Sequence, residues 1–405
     1  MAYDTNAPAE APVVTDWVND WDWLDDGWGE NAIDIWNSVR EQCPVATTER
    51  YGRAFMPVTM DAVRQIANNT ENFSSFRPSV ARPETPRNPL PPITSDPPDH
   101  HGHRRLILPA FNPKTVAAIE PELRRYCREL IAKIDGSGAT DAALNYSQHI
   151  PVHGICLLTG LPEEDADIYR DWIYRSFQLG PRNPAVRVAV ITEMTEYLDV
   201  LLKDRLKNPK DDILTVIANA EIDGKEVPWH VKVGYMQLQI VAGIDTTWSA
   251  IGSGLWHFAQ HNDDVQRLVA VDNDDMLWQT ANEEVLRYYA PVTMARQVVS
   301  DVTIAGCPMH AGDQTLATFP AANHDPAAFP DAHVFKIDRE NNRHVAFGLG
   351  IHRCAGSNLA RLELLVAFQE WLRAFPNYSL DPTGKTTWAN GQVRGPRNIP
   401  VLLNQ

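Results

Sequence analysis

One cysteine has neighbours that could do chemistry. Cys354 stands in the run Phe347-Gly348-Leu349-Gly350-Ile351-His352-Arg353-Cys354-Ala355-Gly356. The glycines at 348 and 350 allow the backbone to turn tightly before it. Leu359, Leu362, Val366, Leu372 and Phe375 then recur at near-helical spacing, so a helix is expected to start just after the thiol. A thiol in that place is biased toward thiolate, because free N–H groups and the positive end of the helix dipole favour negative charge. A thiolate offered from a glycine-lined loop suits an iron as a fifth ligand, and the glycines let a flat macrocycle lie against the backbone. The plainer reading is a small buried cysteine before an ordinary helix. The fixed offsets of Phe, Gly, Gly, His and Gly around Cys354 weigh against it.

A second candidate lies in Val241-Ala242-Gly243-Ile244-Asp245-Thr246-Thr247. From Trp229 to about His261 there is no proline, which predicts a helix about 50 Å long. An acid and two threonines inside a mostly apolar helix are costly if buried, and Gly243 weakens the helix by about 1 kcal/mol relative to alanine. Such local violations mark functional sites. A threonine can bond back to the carbonyl one turn earlier and open the helix there, leaving a groove beside a hydroxyl and a carboxylate. Leu238, Val241 and Ala242 precede the pair on the same side and are expected to line a pocket. An acid at a solvent-facing kink is the bland alternative.

The cysteine run closely resembles the haem-binding loop of the cytochrome P450 family. The resemblance implies haem b (iron protoporphyrin IX), with Cys354 as proximal thiolate and metal ligand, Phe347 and Gly348 in the cofactor-binding loop, and His352 as a propionate partner. Thiolate ligation pushes electron density onto the iron and favours O–O cleavage. Asp245 and Thr246 match the family's acid–alcohol pair, which relays protons to the distal side. His100 and Arg104, at i,i+4 in Asp96-Pro97-Pro98-Asp99-His100-His101-Gly102-His103-Arg104-Arg105, share a helix face. They resemble the family's propionate-reaching helix. A transition-metal site in the three histidines and a solvated polar turn are the competing readings. Arg296, in Ala290-Pro291-Val292-Thr293-Met294-Ala295-Arg296, matches the family's propionate-binding arginine, and Val292, Thr293 and Met294 are expected to border substrate. Glu284 and Arg287 lie on one face at i,i+3, and in the family this pair is buried and structural. The family's third partner, an arginine near His333 and Val334, is absent; His333 or Arg339 is left to take its place.

These groups need a frame. Residues 1–15 are expected to be a loose tail. The clustered Trp17, Trp21, Trp23, Trp28 and Trp36 are expected to pack on the main body, with helices over 31–42 and 60–68 and a strand over 53–59. Prolines at 78, 83, 86, 89, 91 and 92 exclude regular structure from much of 74–98. In the family that segment folds over the distal haem face, so Leu90, Ile93 and Thr94 are expected to line the pocket. Helices are predicted over 113–134, 148–159, 163–177, 187–206 and 275–289, and strands over 298–304 and 314–319. The break at 179–185 separates two helices that form a mobile lid in the family. Asp211 or Asp212 is expected to cap a helix over 213–218.

The totals agree with one compact, mainly helical domain over 16–405 with a small β portion. The chain has 405 residues, of which 44% are apolar, enough for a large core. A net charge of −16 argues against nucleic acid and anionic membrane surfaces. No stretch reaches the roughly 20 apolar residues of a membrane span, and no signal peptide is visible. Five scattered cysteines suggest a reduced, cytoplasmic protein without a disulfide framework.

The function implied is monooxygenation of a small to medium hydrophobic molecule using O2. No flavin or nicotinamide domain is visible, so electrons are expected from a separate ferredoxin and ferredoxin reductase. Arg104, Arg105, Arg124, Arg125, Arg353 and Arg361 are candidates for a basic docking patch. Two rivals remain: a peroxide-driven peroxygenase of the same fold, and a non-catalytic haem-binding sensor.

Overall fold

The structure, a computed structural model, describes residues 13–81 and 89–403. Most of the expected tail and part of the proline-dense stretch therefore lie outside the described residues. The described parts of that stretch, 75–81 and 89–98, hold no helix or strand.

Helix outweighs strand, 52% to 12%, so helix packing sets the frame and the sheets trim its edge. The first helix, Asp26–Gln42, begins five residues before the predicted start. Asp25 caps it by accepting the Gly27 N–H, and its geometry breaks at Asn31, after which the apolar period becomes regular. Trp21, Trp23, Trp28 and Trp36 are buried against Ala46, Ala54, Met56 and Leu316. That cluster joins the helix to a five-stranded sheet ordered Val45–Thr48, Ala54–Pro57, Gln314–Ala317, Met294–Val298 and Phe73–Ser74.

Two predicted helices divide. The one over 113–134 becomes Pro113–Ala117 and Glu120–Ile134. Pro121 sits in the first turn of the second piece, where its missing N–H is harmless, but its ring prevents the helix from continuing back. The one over 163–177 runs as a 3-10 turn, a helix Ala166–Tyr174 and a π turn Arg175–Leu179. The next helix, Pro184–Lys207, starts before the predicted Arg187 because Pro184 is tolerated in its first turn and Asn183 caps it. Asp212, not Asp211, caps Ile213–Ala218 through the Thr215 N–H.

Trp229–Phe258 is the central helix, 30 residues or about 45 Å. It runs through both apolar clusters that flank it: Ala250, Ile251, Leu255 and Phe258 in one, Tyr235, Met236, Ile240 and Ile244 in the other. Ser357–Ala374 packs beside it. The approach is close because Gly254 faces the Phe368 ring, where a Cβ would come within 2.3 Å. The cysteine loop leads directly into Ser357–Ala374, so a site between the loop and the central helix is held by two helices packed against each other.

Candidate active site

Gly348 and Gly350 both take positive φ, 70° and 65°, which favours glycine at each. A Cβ on Gly350 would also stand 2.8 Å from the Ala67 carbonyl. The Cys354 N–H donates to the Phe347 carbonyl (2.8 Å), closing the loop so that the thiol precedes Ser357 by three residues. Arg361 lies over the Phe347 ring, 4.5 Å from its centroid, and pairs with Glu283 (2.6 Å). Burial pushes Glu283 up, but His344 and Arg361 outweigh it and hold the carboxyl at about 2.

Cys354 retains accessible surface, yet protein packs around it closely enough that burial pushes its pKa up. The Gly356 N–H and the charges of Arg104, Arg353 and Arg361 pull the other way without prevailing. The expected bias toward thiolate is therefore not a property of the bare loop, because desolvation outweighs the helix end. A coordinated metal cation reverses that balance.

Four donor-bearing side chains converge near the loop. The rings of His100 and His352 meet edge to face, 4.4 Å between centroids. Arg104 donates to the Arg353 carbonyl, and Arg296, 5% exposed, donates to the Ala295 carbonyl (2.7 Å). Nε2 of His100 and Nε2 of His352 are buried without a partner. Burial, then the charges of Arg296, His100 and Arg104, lower His352 to about 3, and burial lowers Arg296 to about 10. Buried polar groups are normally paired, so the two bare imidazole nitrogens, with the arginines beside them, suit anionic oxygens supplied from outside the chain. A thiol for iron and unsatisfied donors for two carboxylates fit haem b.

On the central helix, Asp245 is 1% exposed and accepts from Nη2 of Arg397 (2.8 Å). Its Oδ2 has no partner. Burial raises the carboxyl to about 6, and Arg397 pulls it down. Arg397 also donates to Ser249 Oγ (2.9 Å) and lies 4.5 Å from the Trp248 ring centroid. Gly395 makes this possible: a Cβ there would meet Ser249 Cβ at 2.3 Å, so only glycine brings the strand Gly395–Asn398 onto the helix. Thr246 donates back to the Ala242 carbonyl (2.9 Å) as expected. The helix nevertheless continues unbroken through this turn, which corrects the expectation that it opens. Ala242 is exposed and Val241, Gly243 and Thr246 are half-exposed within an otherwise buried stretch, with Leu238 buried one turn earlier, so the helix does present a free face.

The remaining candidates divide. Glu284 and Arg287 are buried and joined by two contacts of 2.8 Å. Arg339 supplies the third partner, its Nε 3.0 Å from Glu284 Oε2, whereas His333 offers only its backbone carbonyl, to Tyr288. Thr293, expected to border substrate, is buried with its hydroxyl toward the Gln392 carbonyl (3.5 Å). Val292 and Met294 share one side and remain half-buried. The Met294 sulfur accepts from Gln392 (3.2 Å). Leu90 and Ile93 are half-buried and Thr94 is buried, its hydroxyl accepting the Leu90 N–H (2.8 Å). No group of metal-binding side chains occurs among the described residues; His103 turns to Tyr235 while His100 turns to His352. The basic patch is largely neutralised: Arg124 pairs with Glu120 and Glu370, Arg125 with Glu122 and Glu129, Arg105 with Asp223 and Arg361 with Glu283.

Arg397 and Gln392 were not singled out from the sequence. Arg397 meets a residue 152 positions away. Its only local signal is a pair of arginines, Arg394 and Arg397, near the C-terminal strand pattern.

A mainly helical frame that holds a thiol loop against one long helix defines a haem-dependent oxygenase. Residues 185–392 match the cytochrome P450 family model. The chain is 31% identical over 317 residues to polyketide biosynthesis cytochrome P450 PksS of Bacillus subtilis, covering 77% of this chain and 78% of that protein. It is likewise 31% identical over 316 residues to cytochrome P450 monooxygenase PikC of Streptomyces venezuelae, 76% of this chain and 75% of that one. The crystal structure of CYP109E1 from Bacillus megaterium in complex with testosterone superposes with a TM-score of 0.83 at 28% identity, covering 93% of this chain and 98% of that chain. The chain belongs to the cytochrome P450 family. It is a haem b monooxygenase of the kind found in bacteria, and among the described residues no helix is long and apolar enough to cross a membrane.

Proposed function

We propose that the chain is a single haem domain that oxidises a small to medium organic substrate of largely hydrophobic character, with electrons delivered by a separate ferredoxin and ferredoxin reductase. When bound, the haem iron supplies the oxygen-activating chemistry. In this reading Cys354 is its thiolate ligand, Phe347 and Gly348 shape the loop beneath it, and His100, Arg104, Arg296 and His352 hold its propionates. The observation that carries the reading is the unsatisfied donor set beside the thiol.

The protein's own work is proton handling and enclosure. Burial raises the Asp245 pKa to about 6, so its carboxyl can take up and release a proton at Oδ2 just below neutral pH. Thr246, one residue on, bears the hydroxyl that positions water on the free helix face. Leu238, Val241, Ala242, Val292, Met294, Leu90 and Ile93 exclude solvent from that face. Thr94 and Thr293 support the wall rather than binding substrate.

The test is oxygen-isotope incorporation with a bacterial ferredoxin, its reductase and NADH. One atom of 18O per product molecule from 18O2, with NADH consumed stoichiometrically, is expected. Thr246→Ala should lower product per NADH several-fold while NADH consumption continues. Equal turnover with hydrogen peroxide alone, unaffected by Thr246→Ala, would identify a peroxygenase. No NADH consumption with any partner and substrate would identify a sensor.

A further inference from the structure

We propose that the substrate carries a carboxylate, recognised by Arg187 with Gln178 in the roof above the free face of the central helix. This rests on the reading of that face as the substrate side.

The helix pair Ala166–Tyr174 and Pro184–Lys207, with the π turn and loop between, carries five arginines. Four have acidic partners: Arg170 with Asp167, Arg175 with Asp171 and Glu193, Arg182 with Asp26, and Arg205 with Asp204 and Asp212. The Arg187 guanidinium makes no ion pair or hydrogen bond among the described residues. It is nevertheless half-buried, and burial lowers its pKa. A half-buried guanidinium without a partner is a local violation of the kind that marks a site.

The helix geometry shows where Arg187 looks. At about 100° per residue, it falls in the middle of the stripe made by Val190, Met194, Leu198 and Leu202, each 3% exposed or less. Glu196, nine residues on, falls half a turn away, on the outer groove with Asp167, Asp171 and Glu193. The acids are outside and Arg187 is inside. The register against the central helix is antiparallel: Asp199 accepts from Trp229 (2.8 Å), and Gln237 donates to Thr195 (2.9 Å) and to the Ile191 carbonyl (3.4 Å). One further turn back from Ile191 places Arg187 over the segment beyond Gln237, which begins the free face at Val241 and Ala242.

Gln178 is the second observation. It belongs to the π turn Arg175–Leu179, a feature that re-aims side chains and recurs at functional sites. Its Nε2 is buried without a partner. Gly180 lies beside Arg187, where a Cβ would be 3.4 Å from Arg187 Cβ, so the π turn and the start of the helix are in contact. One guanidinium and one amide donor suit a singly charged, planar carboxylate. A phosphate dianion would need a second cation.

The experiment uses matched probes on two skeletons: decanoic acid against decan-1-ol, and 4-cyclohexylbenzoic acid against 4-cyclohexylbenzyl alcohol. Calorimetric dissociation constants for the holoenzyme are the first readout, which requires no turnover; the Soret shift on binding is the second. On at least one skeleton the acid should bind about tenfold or more tightly than its alcohol. Arg187→Met should remove that preference while leaving the alcohol within about threefold, Arg187→Lys should restore part of it, and Gln178→Leu should reduce it about threefold. Acids no tighter than alcohols on both skeletons, including no binding at all, would overturn the proposal, as would equal weakening of acid and alcohol in Arg187→Met. A failure of the haem reading would show separately, as loss of the reduced carbon monoxide band.

Discussion

Two buried carboxylates are treated in opposite ways. Glu284 accepts from Arg287 through both oxygens, from Arg339, from Asn342 (3.0 Å) and from the Lys336 N–H (2.9 Å). Arg287 in turn donates to the carbonyls of Asn323, Ala332 and Val334. Both oxygens of Glu284 and every guanidinium nitrogen of Arg287 are engaged. Asp245, equally buried, receives one arginine and keeps Oδ2 bare. A saturated network fixes a charge and fastens distant segments together; an unsaturated one leaves an acid able to gain and lose a proton near neutral pH. The first is architecture, and the second is suited to chemistry.

The sharpest break of that contrast is at Glu284. Glu284→Gln leaves two buried guanidinium groups without a counter-charge, a loss of about 3–5 kcal/mol. Little folded haem protein should be recovered, as soluble yield and melting temperature will show. Asp245→Asn should do the reverse: the fold and haem content stay, while turnover falls about 100-fold. Wild-type coupled turnover should decline as pH rises through about 6, where Asp245 loses its proton, and that decline should be missing in the Asn variant. Arg397→Met sharpens the point. Arg397 lowers the Asp245 pKa, so removing it raises the pKa, and the decline should move to higher pH.

The smallest expected effect concerns stability. His324 is buried, bonded to the Tyr288 carbonyl (2.8 Å), and burial lowers its pKa to about 3. Its unfolded form takes up a proton near 6.5, so its contribution is present above that pH and is lost as pH falls toward 3. His324→Gln should flatten the fall of melting temperature with acidification between those limits.

Much of this was legible in the sequence because it was local. The cysteine run, the acid–alcohol pair and the i,i+3 and i,i+4 pairs each sit on one element, where spacing alone sets geometry. The helix 60–68, and a cap at Asp211 or Asp212, were readable for the same reason; the choice of Asp212 was not. Arg397 was not, because strand and helix meet only through the fold. Neither was the choice of Arg339 over His333, which depends on how the loop before the cysteine turns. At the thiol, the helix end is local and readable, whereas the burial that opposes it is collective. The Gln392 partner of Thr293 was not readable either, because it lies 99 positions along the chain.

The most direct single measurement is the absorption spectrum of the reduced protein with carbon monoxide, for wild type and Cys354→His. A strongly red-shifted Soret band in wild type, lost in the variant while haem is retained, is expected if Cys354 is the thiolate ligand. An unshifted band in folded, haem-loaded wild type, or a red-shifted band that survives in Cys354→His, would contradict it.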